Sequence, residues 1–314
     1  SIPIGLLDEP VQQRQQPWRL DLTRSGGHVS VMGAPQSGRS TFLRTVAASI
    51  AVTRTPRQVS VYGLDLTGGG LARIEGFPHV GGVATRGHRE RVGRVLEELT
   101  TMLGVREQVF RAEGIDSVDE LRRRHAAGEL PQLPSADVVL LVDGYATLRT
   151  DFEEYEGALQ RLLDRGGSFG IHVVITLNRW NDLRSPQQGV IGTRIELGLN
   201  DPSDSQVSRK LSSSLRRDEP GRALTDASEF AQVALPVLED DDSVGVGEML
   251  EALARQSAES WAGPEAAPIR LLPEDLDPQT LADAGIDPAM IPLGLRQDTM
   301  KAFSLDLARN DPHL

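Results

Sequence analysis

A glycine-rich segment at residues 33–41 contains residue types that can bind phosphate. Gly33 and Gly38 stand at the spacing of a P-loop, between a short apolar run and a helical pattern. Glycines let consecutive backbone N–H groups converge on phosphate oxygens, and the following helix N-terminus adds its positive dipole end. The candidate nucleotide-binding residues of this segment are Gly33, Ala34, Pro35, Gln36, Ser37, Gly38, Arg39, Ser40 and Thr41.

A second candidate ligand, Asp143, ends an apolar strand. Residues 137–143 form a continuous apolar run between two aspartates, as in a buried parallel strand. A carboxylate roughly a hundred residues after a P-loop is typical of the aspartate behind the metal in nucleotide-binding α/β domains. We therefore predict that a nucleotide binds here with Mg²⁺. The Ser40 hydroxyl is expected on the metal and Asp143 behind it, and Asp143 is also counted among the nucleotide-binding residues.

The elements that position these residues alternate between strands and helices. Helical apolar spacing predicts helices at 42–52, 86–114 and 151–165, whereas 122–128 is interpreted as a solvated charged connector. This alternation favours an α/β fold, with a mostly parallel, doubly wound sheet covered by helices on both faces. The predicted strands lie at 29–32, 58–65, 137–143, 170–178, 193–199 and 230–236.

The composition limits the partners and the environment. The 314 residues are 39% hydrophobic and contain no apolar run near 18 residues, so we expect a packed core and no direct membrane contact. Cysteine is absent, which excludes disulfides and thiolate metal sites and fits a reducing cytoplasm. The net charge of −12 and the pI near 5.0 disfavour binding to phosphate backbones, so we expect no nucleic acid partner.

The end of the sequence repeats its beginning. We therefore predict a P-loop ATPase module at 1–262, a Pro-rich linker at 263–290 and the start of the next tandem module at 291–314. A coincidental pair of β-hairpins is the alternative. The first residue, Ser1, is not Met, so we also expect an excised fragment. The repeated pieces are 2–6 with 291–295, 18–24 with 303–309, and 28–29 with 313–314.

Together these segments resemble the FtsK/SpoIIIE-type P-loop ATPases, and among them the C-terminal ATPase modules of the EccC family of type VII (ESX) secretion. The resemblance implies a RecA-like fold in a tandem ATPase, where an intact first module precedes degenerate ones. Because the repeat implies a further module downstream, the middle (second) module fits best. The matching segments are 33–41, 64–70, 78–84, 110–116, 194–197 and 200–205.

The resemblance also implies partners and a location. The partners are neighbouring ATPase modules of the same chain, in an oligomeric ring in the full protein. The C-terminal export signal of an ESX substrate is a further partner, docking in an apolar pocket on a degenerate module, this one or the terminal one. The implied location is the cytoplasm, within a complex anchored in the inner membrane.

Two residues depart from the family's active motors. Gly144 follows Asp143 where an active enzyme carries a glutamate that polarises the attacking water. Arg39 stands at the lysine position, and its wide planar fork does not fit between the β- and γ-phosphates as an ammonium does. Asn178 matches the family's polar sensor near the γ-phosphate, or else caps a turn at a strand end. No residue is therefore assigned a firm catalytic role, and Gly144→Glu with Arg39→Lys is expected to recover part of the turnover.

The sequence thus favours an ATP-binding module that hydrolyses weakly or not at all and regulates or scaffolds a protein-export motor. One alternative is a catalytically active translocase module, which the missing glutamate opposes. Another is a protein-docking module with a vestigial nucleotide site. The retained Gly33, Gly38, Ser40 and Asp143 oppose that alternative.

Other polar residues have a structural interpretation beside a functional one. Arg165 and Arg179 are candidate trans-acting arginines toward a neighbouring module, or surface ion-pair partners. Asp65 ends a strand, where ligands of open α/β sheets collect, or it caps a turn. His172 lies within a strand pattern and is interpreted as a core histidine. Two charged runs are interpreted as solvated surface: the acidic residues 239–242 and the arginines 122–124.

Overall fold

The computed structural model of this chain describes residues 1–9, 13–23, 25–216, 218–238, 243–272, 275–277, 281, 290–296 and 301–306. The chain divides into two compact units, 1–268 and 269–314, and each is described by itself. The acidic run 239–242 and the repeated residues 307–314 lie outside the described residues. None of the described helices is both long enough and apolar enough to cross a membrane.

Ten described strands of the first unit form one sheet in the order β2-β1-β10-β9-β8-β3-β7-β6-β4-β5. From β8 to β5 every neighbouring pair is parallel, and from β2 to β8 every pair is antiparallel. The predicted mostly parallel sheet is confirmed. The strands are β1 Ile2–Glu9, β2 Arg14–Leu20, β3 Val29–Met32, β4 Val59–Asp65, β5 Val80–Thr85, β6 Asp137–Asp143, β7 Ile171–Leu177, β8 Thr193–Glu196, β9 Arg222–Thr225 and β10 Phe230–Val233.

Helices flank this sheet because its central strands are apolar on both faces. Val139 and Leu141 of β6 lie in the same core cluster as the buried side of the helix that follows the P-loop. Leu140 and Val142 alternate with them, point to the other face and are equally buried. The described helices are α1 Arg39–Thr53, α2 Arg89–Glu113, α3 Val118–Ala126, α4 Tyr145–Asp151, α5 Glu156–Arg165, α6 Ser185–Val190, α7 Arg209–Ser212 and α8 Val246–Ser260.

The predicted charged connector at 122–128 was wrong, because residues 118–126 form α3. Ser117 caps this helix by accepting a hydrogen bond from the backbone N–H of Glu120. Arg122 then donates to both carboxylate oxygens of Asp137, at 2.8 and 3.0 Å. Arg122 of this charged run is therefore paired with the first residue of β6 and is not simply solvated.

Two further boundaries differ from the prediction. The helix predicted at 151–165 is divided, since α4 ends at Asp151 and α5 begins at Glu156, with a 3₁₀ turn between them. Strands β5 and β9 were not predicted. Strand β5 contains two glycines and β9 has only four residues, so neither shows a clear apolar pattern.

The second unit contains a β-hairpin formed by β11 Ile291–Leu295 and β12 Ala302–Leu305. Its strands pair in the same register as β1 and β2, and both hairpins have a register shift after their proline. Apolar residues of β1 and β2 are buried in the first core, whereas Phe303 is 49% exposed. The equivalent pairs are Ile2–Leu20 with Ile291–Leu305, Pro3–Arg19 with Pro292–Ser304, and Gly5–Trp18 with Gly294–Phe303.

The first residues of the predicted linker pack on the first unit. The backbone N–H of Ala266 donates to Pro78 at 2.8 Å, and the Tyr62 hydroxyl donates to the Ala267 carbonyl, also at 2.8 Å. The division of the chain after residue 268 therefore lies inside the predicted linker 263–290. The assignment of 1–262 and 291–314 to two tandem ATPase modules stays a prediction.

Candidate nucleotide site

The P-loop lies between the carboxyl end of β3 and the first turn of α1. Gly33 donates its backbone N–H to Leu177 at 3.1 Å, and Ala34 donates to Gly198 at 2.8 Å, so the loop is anchored to the last residue of β7 and to the segment just after β8. Gly38 has a φ of 105°, which favours glycine. The amides of residues 39–41 lie in the first turn of α1, where N–H groups have no acceptor within the helix. The loop thus presents free amides at a positive helix end, as a phosphate requires.

Asp143 accepts hydrogen bonds from three hydroxyl groups. Ser40 donates to Oδ2 at 2.6 Å and Thr67 donates to the same oxygen at 3.0 Å, while Thr176 donates to Oδ1 at 2.8 Å. Asp143 is almost fully buried. The two predicted metal-binding residues, Ser40 and Asp143, therefore lie in direct contact across 103 residues of sequence.

Asp65 caps the glycine loop that follows it. It stands beside Asp143 in the β4–β6 register, and its two carboxylate oxygens accept the backbone N–H groups of Gly69 and Leu71 at 3.0 and 2.9 Å. Asp65 therefore has the turn-capping role, because both of its carboxylate oxygens already accept backbone hydrogen bonds. The capped loop places Gly69 against the site, because a Cβ built there would overlap the Ser40 hydroxyl and lie 2.6 Å from Asp143 Oδ2.

Arg39 and Asn178 contact each other. Nη1 of Arg39 donates to Oδ1 of Asn178 at 2.5 Å, and the Asn178 backbone N–H donates to Asp182 at 2.9 Å. Partial burial lowers the pKa of Arg39, against the raising effect of Asp143 and Asp182. An arginine starts so far above neutrality that the guanidinium remains charged. The residue in the lysine position is thus held by the predicted sensor.

Gly144 is the N-cap residue of α4 and lies in the left-handed region, with φ 95° and ψ 60°. Its backbone N–H donates to the Thr176 hydroxyl at 2.8 Å. A Cβ built on Gly144 would lie 2.5 Å from Cγ2 of Thr67. The position after Asp143 therefore supplies no carboxylate, and its backbone and its neighbour both suit glycine.

The remaining predicted residues are occupied in ion pairs or in the core. Arg165 pairs with Glu107 at 2.8 Å, and Arg179 approaches Asp204 at 3.6 Å. Both arginines are more than half exposed, so their trans-acting role stays a prediction. The ring nitrogens of His172 contact Gly27 O and Asp137 Oδ1, each at 3.1 Å, which is the core arrangement.

The donor set fits MgATP. Mg²⁺ binds through oxygen ligands and usually combines one or two protein groups with substrate phosphates and water. Ser40 provides such an oxygen ligand, and the Asp143 carboxylate stands behind it at hydrogen-bonding distance. Among the described residues, no cluster of three or more His, Asp or Glu could hold a metal by itself. The Ser37 hydroxyl is buried without a partner, which leaves a free donor inside the loop.

Sequence reasoning missed Thr67, Gly69 and Thr176. Segment 64–70 contains Thr67 and Gly69, and its run of glycines directly after a strand-end carboxylate is the available signal for them. Thr176 had no signal, because a threonine inside a buried strand is ordinary. Only the pairing of β6 with β7 brings its hydroxyl to Asp143.

Known proteins resemble this chain over almost its whole length. The sequence model of the FtsK/SpoIIIE family matches residues 3–237. The chain is 40% identical over 311 residues to the ESX secretion system protein EccC of Thermomonospora curvata, covering 99% of this chain and 24% of that protein. It is 36% identical to EccCb1 of the ESX-1 system of Mycolicibacterium smegmatis, covering 99% of this chain and 53% of that one. The chain thus spans about a quarter to about half the length of these relatives.

Solved structures of relatives share the fold. A structure of T. curvata EccC, containing ATPases 2 and 3 in complex with a signal sequence peptide, superposes with a TM-score of 0.85 at 40% identity, over 98% of this chain and 55% of that one. The T. curvata EccC cytoplasmic domain gives a TM-score of 0.86 over 98% of this chain and 36% of that one. Since the family's sequence pattern extends over most of the first unit, the chain belongs to the FtsK/SpoIIIE family, with EccC proteins of ESX secretion among its relatives.

Proposed function

We propose that this chain is an ATP-binding module of a type VII secretion motor that hydrolyses ATP weakly or not at all, and that it regulates or scaffolds protein export. One observation carries the proposal. The contact between Ser40 and Asp143 retains the metal-binding half of a P-loop site, whereas Gly144 and Arg39 leave the hydrolytic half incomplete.

The binding half rests on the amides of residues 33–41 and on the contact between Ser40 and Asp143. Bound MgATP would supply phosphate oxygens to the amides and a divalent cation to the hydroxyl. Thr67 and Thr176 hold the Asp143 carboxylate in place. These contacts act on the bound ground state, so they support affinity rather than turnover.

The hydrolytic half lacks a positioned base. Gly144 contributes no side chain, and the geometry around it resists one because of Thr67. Losing a general base typically lowers the rate by about 10²–10⁴. A cation at the position of Arg39 would stabilise the negative charge that develops on the leaving oxygen during hydrolysis. The Arg39 guanidinium instead donates to the neutral side-chain amide of Asn178.

The relatives support the setting of this proposal. We infer that the module works in the cytoplasm within a membrane-anchored complex and contacts neighbouring ATPase modules of the same chain in a ring. The T. curvata EccC structure with a signal sequence peptide supports an export signal as a partner of this part of the protein. The hairpin at 291–305 supports a following module, because it repeats the register of β1 and β2 without their burial.

The test is calorimetric titration with MgATP and MgADP, together with a turnover assay on the same sample. We expect saturable binding of ATP and turnover far below 1 s⁻¹, which is roughly the low end for ordinary enzymes. Turnover near that value would favour an active translocase instead. Titrations without heat and without a rise in melting temperature would favour a docking module with a vestigial site.

A further inference from the structure

An open cleft of about 520 Å³ is lined by residues of β9, of β10 and of the segment that precedes β9. Strand β9 begins at Arg222 and runs antiparallel to β8, so its start lies at the sheet edge that carries the P-loop. The backbone N–H of Gly221 donates to the carbonyl of Ser37 at 2.9 Å, which joins the cleft to the loop. The residues lining the cleft are Ser214, Glu219, Pro220, Arg222, Phe230 and Gln232.

The sheet order gives the P-loop two different flanks. Strand β3 lies between β7 and β8, and Asp143 stands beyond β7 at the end of β6. The metal and the terminal phosphates therefore belong to the β7 flank, where Ser40 meets Asp143. A nucleoside triphosphate is an extended molecule, so the end opposite its terminal phosphates leaves the loop toward the β8 flank, where Gly221 and the cleft lie.

The residue types in this cleft suit a nucleobase. Phe230 is partly exposed, and the Arg222 guanidinium lies 5.9 Å from its ring centroid. Asp8 approaches that guanidinium at 3.4 Å and so helps to orient it. Gln232 stands opposite Arg222 in the β9–β10 register and is exposed. Bases stack on aromatic rings and on guanidinium planes, and an amide offers both a donor and an acceptor to a base edge.

We propose that this cleft binds the base of the bound nucleotide, with Phe230 as the stacking surface and Gln232 as the hydrogen-bonding group. The inference rests on the proposed nucleotide binding and adds the part of the ligand that the P-loop does not touch. The hydrogen bonds of Gln232 to Pro220 and Val233 are long, at 3.3 and 3.4 Å, so the amide can exchange them for bonds to a base.

The test compares MgATP with magnesium tripolyphosphate, which has the phosphates but no base, by calorimetry on the 314-residue chain. Phe230→Ala should weaken MgATP binding about ten- to a hundredfold, as expected for loss of one stacked base. Its affinity for tripolyphosphate should change less than about twofold, since it keeps the P-loop. Phe230→Tyr retains the ring and should bind both ligands like the original chain. Phe303→Ala, at an exposed phenylalanine of the second unit, is the matched control.

Gln232→Ala is the second variant, because its exposed position keeps the chain folded even if Phe230→Ala is unstable. It should weaken MgATP about three- to tenfold and leave tripolyphosphate unchanged. Equal losses for both ligands, or no loss in either variant, would overturn the base site. An original chain that binds tripolyphosphate as tightly as ATP would overturn it too, while leaving nucleotide binding intact. A chain that binds neither ligand would instead refute the proposed function.

Discussion

Gly144 and Thr67 face each other so closely that a Cβ on the glycine would lie 2.5 Å from Cγ2 of the threonine. The two residues belong to the loops after β6 and β4, strands that are paired along their whole length. The position that lacks the family's glutamate is therefore also a position where a side chain meets a neighbour. The sequence predicts that Gly144→Glu with Arg39→Lys recovers part of the turnover. The close approach of Thr67 argues against that recovery.

The first prediction is that Gly144→Glu destabilises the chain without restoring turnover. A non-glycine residue at φ 95° and the overlap with Thr67 should together lower the free energy of unfolding by about 2–5 kcal/mol. Adding Thr67→Ser removes Cγ2 and should return part of that loss. Urea unfolding measures both effects. Gly157→Glu, on an open and exposed face of α5, is the control and should change stability by less than about 1 kcal/mol.

The second prediction concerns the metal. Ser40→Ala should weaken MgATP binding about tenfold or more, since it removes both the hydroxyl ligand and a hydrogen bond to Asp143. Binding of ATP in EDTA should change much less. Calorimetric titration with and without Mg²⁺ measures the difference, and Ser213→Ala, an exposed hydroxyl after α7, is the control. A Ser40→Ala variant that keeps full Mg²⁺ dependence would contradict this assignment.

The third prediction is a pH dependence of stability from His28. Burial, and then the charge of His172, lower the pKa of His28 to about 3. The unfolded chain binds a proton there below about pH 6.5, so it binds more protons than the folded chain, and stability falls as pH drops from 6.5 toward 3.

Between pH 7.5 and 5.5 the expected loss of unfolding free energy from His28 is about 1.4 kcal/mol. His28→Asn should remove that loss, whereas His88→Asn at an exposed position should retain it. Urea unfolding at the two pH values gives the comparison. If the unfolding free energy changes equally between the two pH values in the original chain and in His28→Asn, His28 does not cause the predicted loss of stability.

The fourth prediction uses the repeated hairpins. Trp18 is 6% exposed and packs near Phe42, whereas its equivalent Phe303 is 49% exposed. Trp18→Ala should lower the free energy of unfolding by about 3–5 kcal/mol, and Phe303→Ala by less than about 0.5 kcal/mol. In a longer chain that includes a following module, Phe303→Ala should become comparably destabilising. If Phe303→Ala already destabilises the 314-residue chain, the prediction that Phe303 becomes buried only in a following module is wrong.

The parallel sheet could be predicted because its strands carry their signal locally. Residues 137–143 read as a buried strand in sequence, and β6 is fully buried. The helix at α3 could not be predicted from charge alone, because the Ser117 cap and the ion pair between Arg122 and Asp137 depend on specific partners that the charge of the segment does not reveal. The prediction of one continuous helix at 151–165 was wrong, because the helical spacing of apolar residues continues across the 3₁₀ turn at Glu153–Tyr155 and does not reveal the break.

The sequence by itself determined the local parts of the nucleotide site: the glycine spacing of 33–38, the serine at the start of α1, the aspartate at the end of β6 and the glycine after it. Local chain geometry is enough for these, because each depends on residues only a few positions apart. The tertiary structure alone decided that Thr67 and Thr176 share Asp143, that Asn178 holds Arg39 and that Gly144 is crowded. These contacts join separate strands, and the order of parallel strands follows from packing of the whole sheet rather than from any one segment.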